Sequence, residues 1–190
     1  MDFAAFLVQL NINLGDTDNF TFTVEEKTRA LTEAFNDPYA VRTVWNTSLT
    51  FDSQTYQYAI PGTLTTVQDI GFSASNTATD EPSTISGSLW SVVGSNIQFR
   101  GANNVIPDGY TLYVRGNYKV TVSDTITEIN LQEYILNVAQ LKCLKSLGNK
   151  KLNRFLKNDT SVAEIVTWKR ELQQEVAESR RRLPRSYEVM

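Results

Sequence analysis

The chain has 190 residues, of which 41% are hydrophobic, and its 18 basic and 21 acidic side chains give a net charge of −3. It contains no histidine and one cysteine, Cys143. These counts exclude a Ser-His-Asp triad, a Cys-His pair, a histidine zinc site, a multi-thiolate metal site and a disulfide within one monomer. The sequence also lacks a P-loop or dinucleotide fingerprint. We therefore expect no catalytic residue, no cofactor and no metal.

Two helices are predicted before residue 38. The segment 2–10 has the apolar spacing of a short amphipathic helix that ends near Gly15. Its expected core face consists of Phe3, Phe6, Leu7 and Leu10. A second helix follows Thr23, because Thr23 and Glu26 have the spacing of a capping box, and Pro38 ends it. Its expected core residues are Leu31, Ala34 and Phe35.

The loop between these helices resembles the start of a calcium-binding loop at Asp16-Thr17-Asp18-Asn19. The sixth position is Thr21, however, where such a loop needs glycine for its turn. The twelfth position is Lys27, where a bidentate glutamate would be needed. These two departures favour an ordinary polar loop.

From residue 39 the apolar pattern changes to near-alternation, which is typical of strands. The segments that show it are short and rich in aromatic and β-branched residues: 44–45, 49–51, 56–60, 67–72, 88–93, 96–100 and 110–115. Turn signals such as Pro61-Gly62 and Pro107-Asp108-Gly109 separate them. We predict an antiparallel β-rich insertion that forms a small sandwich or half-barrel. Residues 73–87 are predicted to form an exposed, mobile loop.

The first C-terminal helix is expected to begin near Leu131, with Asn130 and Glu133 as its capping box. Its apolar face has helical spacing and consists of Leu131, Tyr134, Ile135, Val138, Leu141 and Leu144. Gly148 can take the left-handed conformation that ends a helix. Cys143, within this helix, is expected to be a small core residue.

The second C-terminal helix is expected to begin after Ser161, with Glu164 completing a capping box, and to end near Arg182 before Pro184. Its apolar stripe is narrow and consists of Ile165, Trp168, Leu172 and Val176. A helix with such a stripe packs along a seam and leaves its other faces in water.

The predicted class is α+β, with a helical body from both chain ends and a central antiparallel β-rich insertion. The expected divisions are N-terminal helices at 1–38, the β insertion at 39–127, C-terminal helices at 128–183 and a docking tail at 184–190. No run of apolar residues is long enough to span a membrane, and the N-terminus lacks a secretion signal. We therefore expect a soluble, untargeted chain.

Charge is unevenly distributed. Residues 1–130 carry 6 basic and 14 acidic side chains, whereas residues 131–190 carry 12 and 7, so the net charges are −8 and +5. The basic part ends in Arg180-Arg181-Arg182 and Arg185. One interpretation of this arginine cluster is that its cations stabilise the helix by interacting with the dipole at its C-terminus. The other interpretation is that the cluster docks on an acidic partner. The adjacent carboxylates at 25–26 and 80–81 fit helix capping and loop solvation better than general acid–base catalysis.

The insertion is rich in aromatic residues, more than a small sheet is expected to bury. Its aromatic residues include Trp45, Phe51, Tyr56, Tyr58, Phe72, Trp90, Phe99, Tyr110, Tyr113 and Tyr118. A single well-packed core is the default interpretation. Those left exposed would suit a subunit interface, where aromatic side chains are enriched.

The order of these segments resembles that of the head-to-tail adaptor, or connector, proteins of tailed bacteriophages. The segments that carry the resemblance are 22–36, 56–61 with 67–70, 107–114, and 133–139 followed by the long charged helix. Each is a weak pattern by itself, and the specificity comes from their order. Residues 73–87 and the Arg-rich end have no counterpart in this pattern.

The resemblance implies a structural protein of the virion neck or tail, assembled in the host cytoplasm and without catalysis. It implies a homo-oligomeric ring, usually of twelve copies, that binds the portal protein and downstream tail or neck proteins. DNA would pass through its channel without specific binding. On this basis we assign ring-interface roles to Trp45, Trp90, Tyr110 and Tyr113. Portal docking is assigned to Arg180, Arg181, Arg182, Leu183, Arg185, Tyr187, Val189 and Met190.

Two other classes of function remain open. A carbohydrate- or protein-binding β module of a phage tail or adhesin would use exposed tryptophan and tyrosine side chains as platforms. A hydrolase with paired carboxylates would need two acidic groups on one site, and no spacing in the sequence places such a pair.

Overall fold

Helices near both chain ends and strands in the central part confirm the α+β prediction. The structure is a computed structural model that describes residues 1–74, 82–100, 105–147 and 162–183. The chain divides into two compact units. The helical unit contains residues 1–41 and the described part of 120–185, and the β unit contains the described part of 42–119.

The helical unit contains four helices in its described residues: α1 (Phe3–Asn13), α2 (Val24–Phe35), α3 (Ile129–Lys145) and α4 (Val162–Arg182). Asp2 caps α1 by accepting a hydrogen bond from the backbone N–H of Ala5 at 2.8 Å. The predicted capping box of α2 is confirmed, because Thr23 and Glu26 each accept a hydrogen bond from the other's backbone N–H. The two helices pack through aromatic rings, with the Phe6 and Phe35 centroids 5.3 Å apart.

Lys27 lies fully buried where α2 packs against the loop that precedes it. Its ammonium group lies 2.8 Å from the Asp16 carboxylate and donates hydrogen bonds to the Asp16 carbonyl and the Asn19 side chain. Asp16 also accepts hydrogen bonds from the backbone N–H groups of Thr21 and Phe22. Burial alone would raise the pKa of Asp16, but these hydrogen bonds outweigh it and hold the pKa below its usual value. An internal lysine thus occupies the centre of the loop that resembles a calcium site.

The helix α3 is the centre of the helical unit and contacts α1, α2 and α4. Its predicted apolar face is confirmed, but burial extends beyond it to Leu136, Ala139, Gln140 and Cys143. The predicted capping box is wrong. The N-cap is Glu128, which makes no side-chain cap bond, so Asn130 lies inside the helix. The segment that precedes α3 is already held in place, because Ile126 exchanges backbone hydrogen bonds with Met1.

Seven strands form two antiparallel sheets among the described residues. The strands are β1 (Val41–Thr50), β2 (Gln57–Ala59), β3 (Leu64–Ser73), β4 (Ser83–Thr84), β5 (Trp90–Val93), β6 (Asn96–Phe99) and β7 (Thr111–Lys119). One sheet has the order β1-β7-β3-β4 and the other has the order β2-β6-β5. The two segments predicted at 44–45 and 49–51 form one continuous strand, β1.

Both sheets contribute to one apolar core, as expected for a small sandwich. It contains Ile70 from β3, Leu112 from β7 and Phe99 from β6. The prediction of a loop at 73–87 is wrong at both ends, because Ser73 belongs to β3, Ser83–Thr84 pair with that strand and Ile85 is buried in this core. Residues 75–81 lie outside the described part of the chain.

A break in register between β3 and β7 explains why glycine occupies position 116. A Cβ atom at Gly116 would lie 1.9 Å from the Thr66 carbonyl oxygen, which no side chain tolerates. The register shifts between Leu64 and Thr66, as at a β-bulge. Glycine therefore allows the two backbones to approach closely at this point.

Candidate interaction surface of the C-terminal helix

The helix α4 is attached to the helical unit along one narrow seam. The buried side chains are Ile165, Leu172 and Val176, spaced seven and four residues apart, and Leu183 continues the series after the helix end. Trp168, predicted on this stripe, is partly buried beside it. The predicted end near Arg182 is confirmed, whereas the predicted cap Ser161 lies outside the described residues.

Arg180 fixes the last turn of α4 to the rest of the helical unit. Its Nε donates to the Tyr134 hydroxyl at 3.2 Å, and its Nη2 lies 3.9 Å from Oδ2 of Asp37. The Tyr134 hydroxyl in turn donates to Oδ1 of Asp37 at 2.6 Å. The guanidinium carbon lies 4.6 Å from the centre of the Tyr39 ring, a cation–π geometry. We call these four residues the Arg180 latch.

The latch changes the ionisation of Tyr134. Its side chain is fully buried, and burial is the largest cause of a pKa far above the usual tyrosine value. The hydrogen bond to the Asp37 carboxylate raises this pKa further, because it stabilises the protonated phenol. The hydrogen bond to Tyr134 also raises the pKa of Arg180. Tyr134 therefore stays protonated and Arg180 stays charged at neutral pH.

The residues assigned to portal docking divide into three groups. Arg180 is engaged in the latch, and Leu183 is buried at the end of the seam. Arg181 and Arg182 are exposed. Arg185, Tyr187, Val189 and Met190, with the rest of the tail at 184–190, lie outside the described residues. The described cations at the end of α4 that do not belong to the latch are thus Arg181 and Arg182.

Two open grooves follow the line where α4 packs on α3. One has a volume of about 350 Å³ and is lined by Glu133, Asn137, Glu175, Glu178, Ser179 and Arg182. The other has a similar volume of about 350 Å³ and is lined by Asn13, Asn137, Gln140, Trp168, Glu171, Leu172 and Glu175. Their linings are mostly polar, and carboxylates of α4 appear in both.

The four aromatic residues assigned to the ring interface occupy different environments in the β unit. Trp45 is 41% exposed, and its ring contacts the Tyr113 ring edge-on at a centroid distance of 6.4 Å. Tyr113 itself is only 3% exposed. Trp90 and Tyr110 pack partly buried against the core of the unit. Trp45 is therefore the member of this set with the most surface available to a partner.

Arg115 completes the surroundings of Trp45. Its guanidinium carbon lies 5.8 Å from the indole centre, and its Nη1 lies 3.3 Å from Oδ2 of Asp69. Both charged side chains are about half exposed. Trp45 thus forms part of a surface with an aromatic ring and two opposite charges.

Sequence reasoning missed the polar partners that anchor α4. Tyr134 was predicted as a core residue, and the helix-ending residue predicted next to Asp37 was Pro38. Their contacts with Arg180 join positions 46 and more than 100 residues apart, so no local spacing could indicate them. Among the described residues, no group of three or more His, Cys, Asp or Glu side chains is placed to hold a metal ion.

Comparisons with known proteins leave the resemblance to adaptor proteins as a hypothesis. No protein-family model matches the chain, and no curated protein matches it. Within the described residues, no helix has the length and apolar character needed to cross a membrane.

Proposed function

We propose that this protein is a structural subunit of the head-to-tail connector of a tailed bacteriophage. In this role, copies of the chain form a ring that binds the portal and leaves a channel for DNA. The order of sequence segments that resembles the adaptor family supports the proposal, as does the α+β arrangement with helices near both chain ends.

The observation that carries the proposal is the anchored end of α4. The Arg180 latch and the buried Leu183 fix the last turn, while Arg181 and Arg182 face solvent directly before residues 184–190. Two fixed cations of this kind attract an acidic partner over a distance of about 10 Å, the Debye length at ~0.1 M salt. Docking then places the apolar residues of the following segment, Tyr187, Val189 and Met190, at the partner's surface.

The charge distribution fits passage of DNA. Residues 1–130 carry a clear excess of acidic side chains. Each contact between a lysine or arginine and a phosphate adds affinity for DNA, so a channel wall poor in such contacts lets DNA slide. A ring of these subunits would present the acidic part to its lumen and the basic end of α4 to the portal.

The test uses purified portal rings of the same phage, mixed with the full chain and visualised by electron microscopy. The wild-type chain should add a collar to the portal. Deletion of residues 184–190, or the pair Arg181→Glu and Arg182→Glu, should remove the collar while the circular-dichroism melt stays unchanged. The matched control is the pair Arg29→Glu and Lys145→Glu, two exposed cations elsewhere in the helical unit, which should still form a collar.

A truncated chain that still forms the collar with unchanged affinity would contradict docking by the C-terminus. A wild-type chain that never binds the portal would contradict the proposed function as a whole.

A second candidate function is favoured by the surface around Trp45. An exposed indole beside Arg115 and Asp69 can stack on a sugar ring while the charged groups bind its hydroxyls, as a carbohydrate-binding β module of a phage tail or adhesin would require. A glycan array separates the two functions. Binding of defined glycans that Trp45→Ala abolishes, together with no binding to the portal, would favour the module.

A further inference from the structure

The charged residues of α4 are sorted by side. Glu164, Glu171, Glu175 and Glu178 are spaced seven, four and three residues apart, which places them on one flank of the helix, the acidic flank. On the other side of the buried seam lie Lys169, Arg170, Gln173 and Arg181, the basic flank. Arg180 is on this second side too, so four of the five cations of α4 lie opposite its four glutamates.

This sorting works against α4 as an isolated helix. Glu171 and Glu175 are four residues apart, a like-charge spacing that destabilises a helix. Lys169 and Arg170 have no acidic residue three or four positions away, so neither can form the usual intrahelical ion pair. In the described part of the chain, none of these four side chains forms a salt bridge. Their charges are available to another molecule.

The two flanks have different surroundings. Glu133 of α3 lines the same groove as Glu175 and Glu178, so the groove beside the acidic flank holds three carboxylates and the cation Arg182. On the other side of the seam, Val162 and Val166 are about half exposed near Lys169 and Arg170. The helical unit therefore presents two surfaces of opposite charge on the two sides of one helix.

We infer that the acidic flank of α4 in one copy of this chain binds the basic flank of α4 in the next copy. The contact rests on the proposed ring and specifies which surfaces build it. Charge complementarity identifies the occupant: nucleic acid would satisfy the basic flank and be repelled by the acidic one, whereas a second copy satisfies both. Because two different surfaces meet, the contact is heterologous and repeats from copy to copy until a ring closes.

The positions of the charged residues along the α4 axis are compatible with a closed ring. Arg170 and Glu171 differ by one residue, or about 1.5 Å along the helix axis, and Arg181 and Glu178 differ by about 4.5 Å. Two parallel copies of α4 placed side by side without an axial shift therefore bring opposite charges together at two levels. Neighbours in a closed ring are related by rotation without translation, so a ring whose axis runs along α4 requires this register.

Charge reversal tests the contact with the full-length chain. The first variant carries Lys169→Glu and Arg170→Glu, and the second carries Glu171→Lys and Glu175→Lys. Self-association is measured by sedimentation velocity and native mass spectrometry at low and high salt. The wild-type chain should associate most strongly at low salt, and each variant alone should associate at least ~10-fold more weakly, because like charges then face each other.

Mixing the two variants is the decisive step. Each contact in the mixture then joins a first-variant copy to a second-variant copy. In one contact the unchanged acidic flank of the first variant meets the unchanged basic flank of the second. In the next contact the two reversed flanks, which again have opposite charges, meet each other. The mixture should therefore regain association and contain both variants in alternation. The control pair Arg29→Glu and Lys145→Glu, which changes the net charge outside α4 by as much as the first variant does, should associate like the wild type. Circular dichroism verifies that every variant is folded.

Wild-type-like association of either variant alone would overturn the inference. So would a mixture that associates no better than its components, or a wild-type chain that stays monomeric at the highest concentration and lowest salt. The outcomes also separate this inference from the proposed function. Variants that still form a collar on the portal would overturn the flank contact and leave the function standing. Flank-dependent oligomers that the portal does not bind would do the reverse.

Discussion

The helices α3 and α4 pack against each other but differ in how many of their side chains are buried. Ten of the 17 residues of α3 are buried, on nearly all sides of the helix, whereas three of the 21 residues of α4 are buried along one seam. Stability therefore depends on α3, and almost every side chain of α4 can change without altering the core. In the proposed function, the charge pattern of α4 reflects what binds to it. The predictions below test this contrast.

The largest expected difference in the free energy of unfolding is between replacing a buried cation of the helical unit and replacing an exposed cation of α4. Lys27→Met removes a fully buried ammonium and leaves the Asp16 carboxylate buried without its cation. Breaking a buried pair in this way costs about 3–5 kcal/mol. Arg170→Met on the exposed flank should change the free energy of unfolding by less than about 0.5 kcal/mol. Urea denaturation of both variants measures the difference, and equal losses would break the contrast.

The same substitution on the two helices gives the next largest effect. Val138 of α3 is 5% exposed, and Val166 of α4 is 50% exposed. Val138→Ala should destabilise the chain by roughly 2 kcal/mol, because two methyl groups leave the core and a cavity remains. Val166→Ala should have almost no effect on unfolding. A loss at Val166 as large as that at Val138 would show that α4 is packed more tightly than its seam suggests.

The smallest effect on stability concerns the latch between the helices. Tyr134→Phe removes the hydroxyl that bridges Asp37 and Arg180, and we expect a loss of about 1–2 kcal/mol from these charge-assisted hydrogen bonds. Tyr39→Phe is the matched control, since it keeps the ring that contacts Arg180. A control that destabilises the chain as much as Tyr134→Phe would show that the loss does not come from the latch.

The latch also predicts that the folded chain loses stability at alkaline pH. The pKa of Tyr134 is raised in the folded chain above its ordinary value of 10.0. The unfolded chain therefore loses this proton first, so the stabilisation is complete below pH 10 and is lost as pH rises through the folded pKa. Tyr58 has a raised pKa too, so the Tyr134→Phe chain should keep part of the alkaline decline. An identical decline in both chains would contradict the role of Tyr134.

Local patterns predicted much of the fold. The spacing of Thr23 and Glu26 predicted the start of α2, and the apolar spacing of α4 predicted its seam. Alternation located most strands, because a half-buried strand needs that pattern. The same logic failed at Asn130, where Ile126 and Met1 fix the chain before a side-chain cap is needed. It also failed at Ile85, because the surrounding polar residues concealed one core residue.

The candidate surface was harder to predict for a physical reason. The latch brings together Asp37, Tyr134 and Arg180, which only the tertiary fold places in contact. Burial of Lys27 had a signal in the sequence, since it precedes Leu31 and Ala34 by four and seven residues on the same helix face. A lysine is seldom buried without a partner, and that partner, Asp16, lies in the preceding loop. The sorting of charges along α4 could have been found from spacing alone.

Hydrogen exchange of the free chain and of the chain bound to portal rings tests the central claim most directly. In the free chain, amides of α3 should exchange slowly and those at the ends of α4 faster, because α4 has few buried contacts. On assembly, peptides from α4 should gain protection while those from α3 change little. Protection gained in another part of the chain with α4 unchanged would contradict the claim that α4 is the assembly surface of this protein.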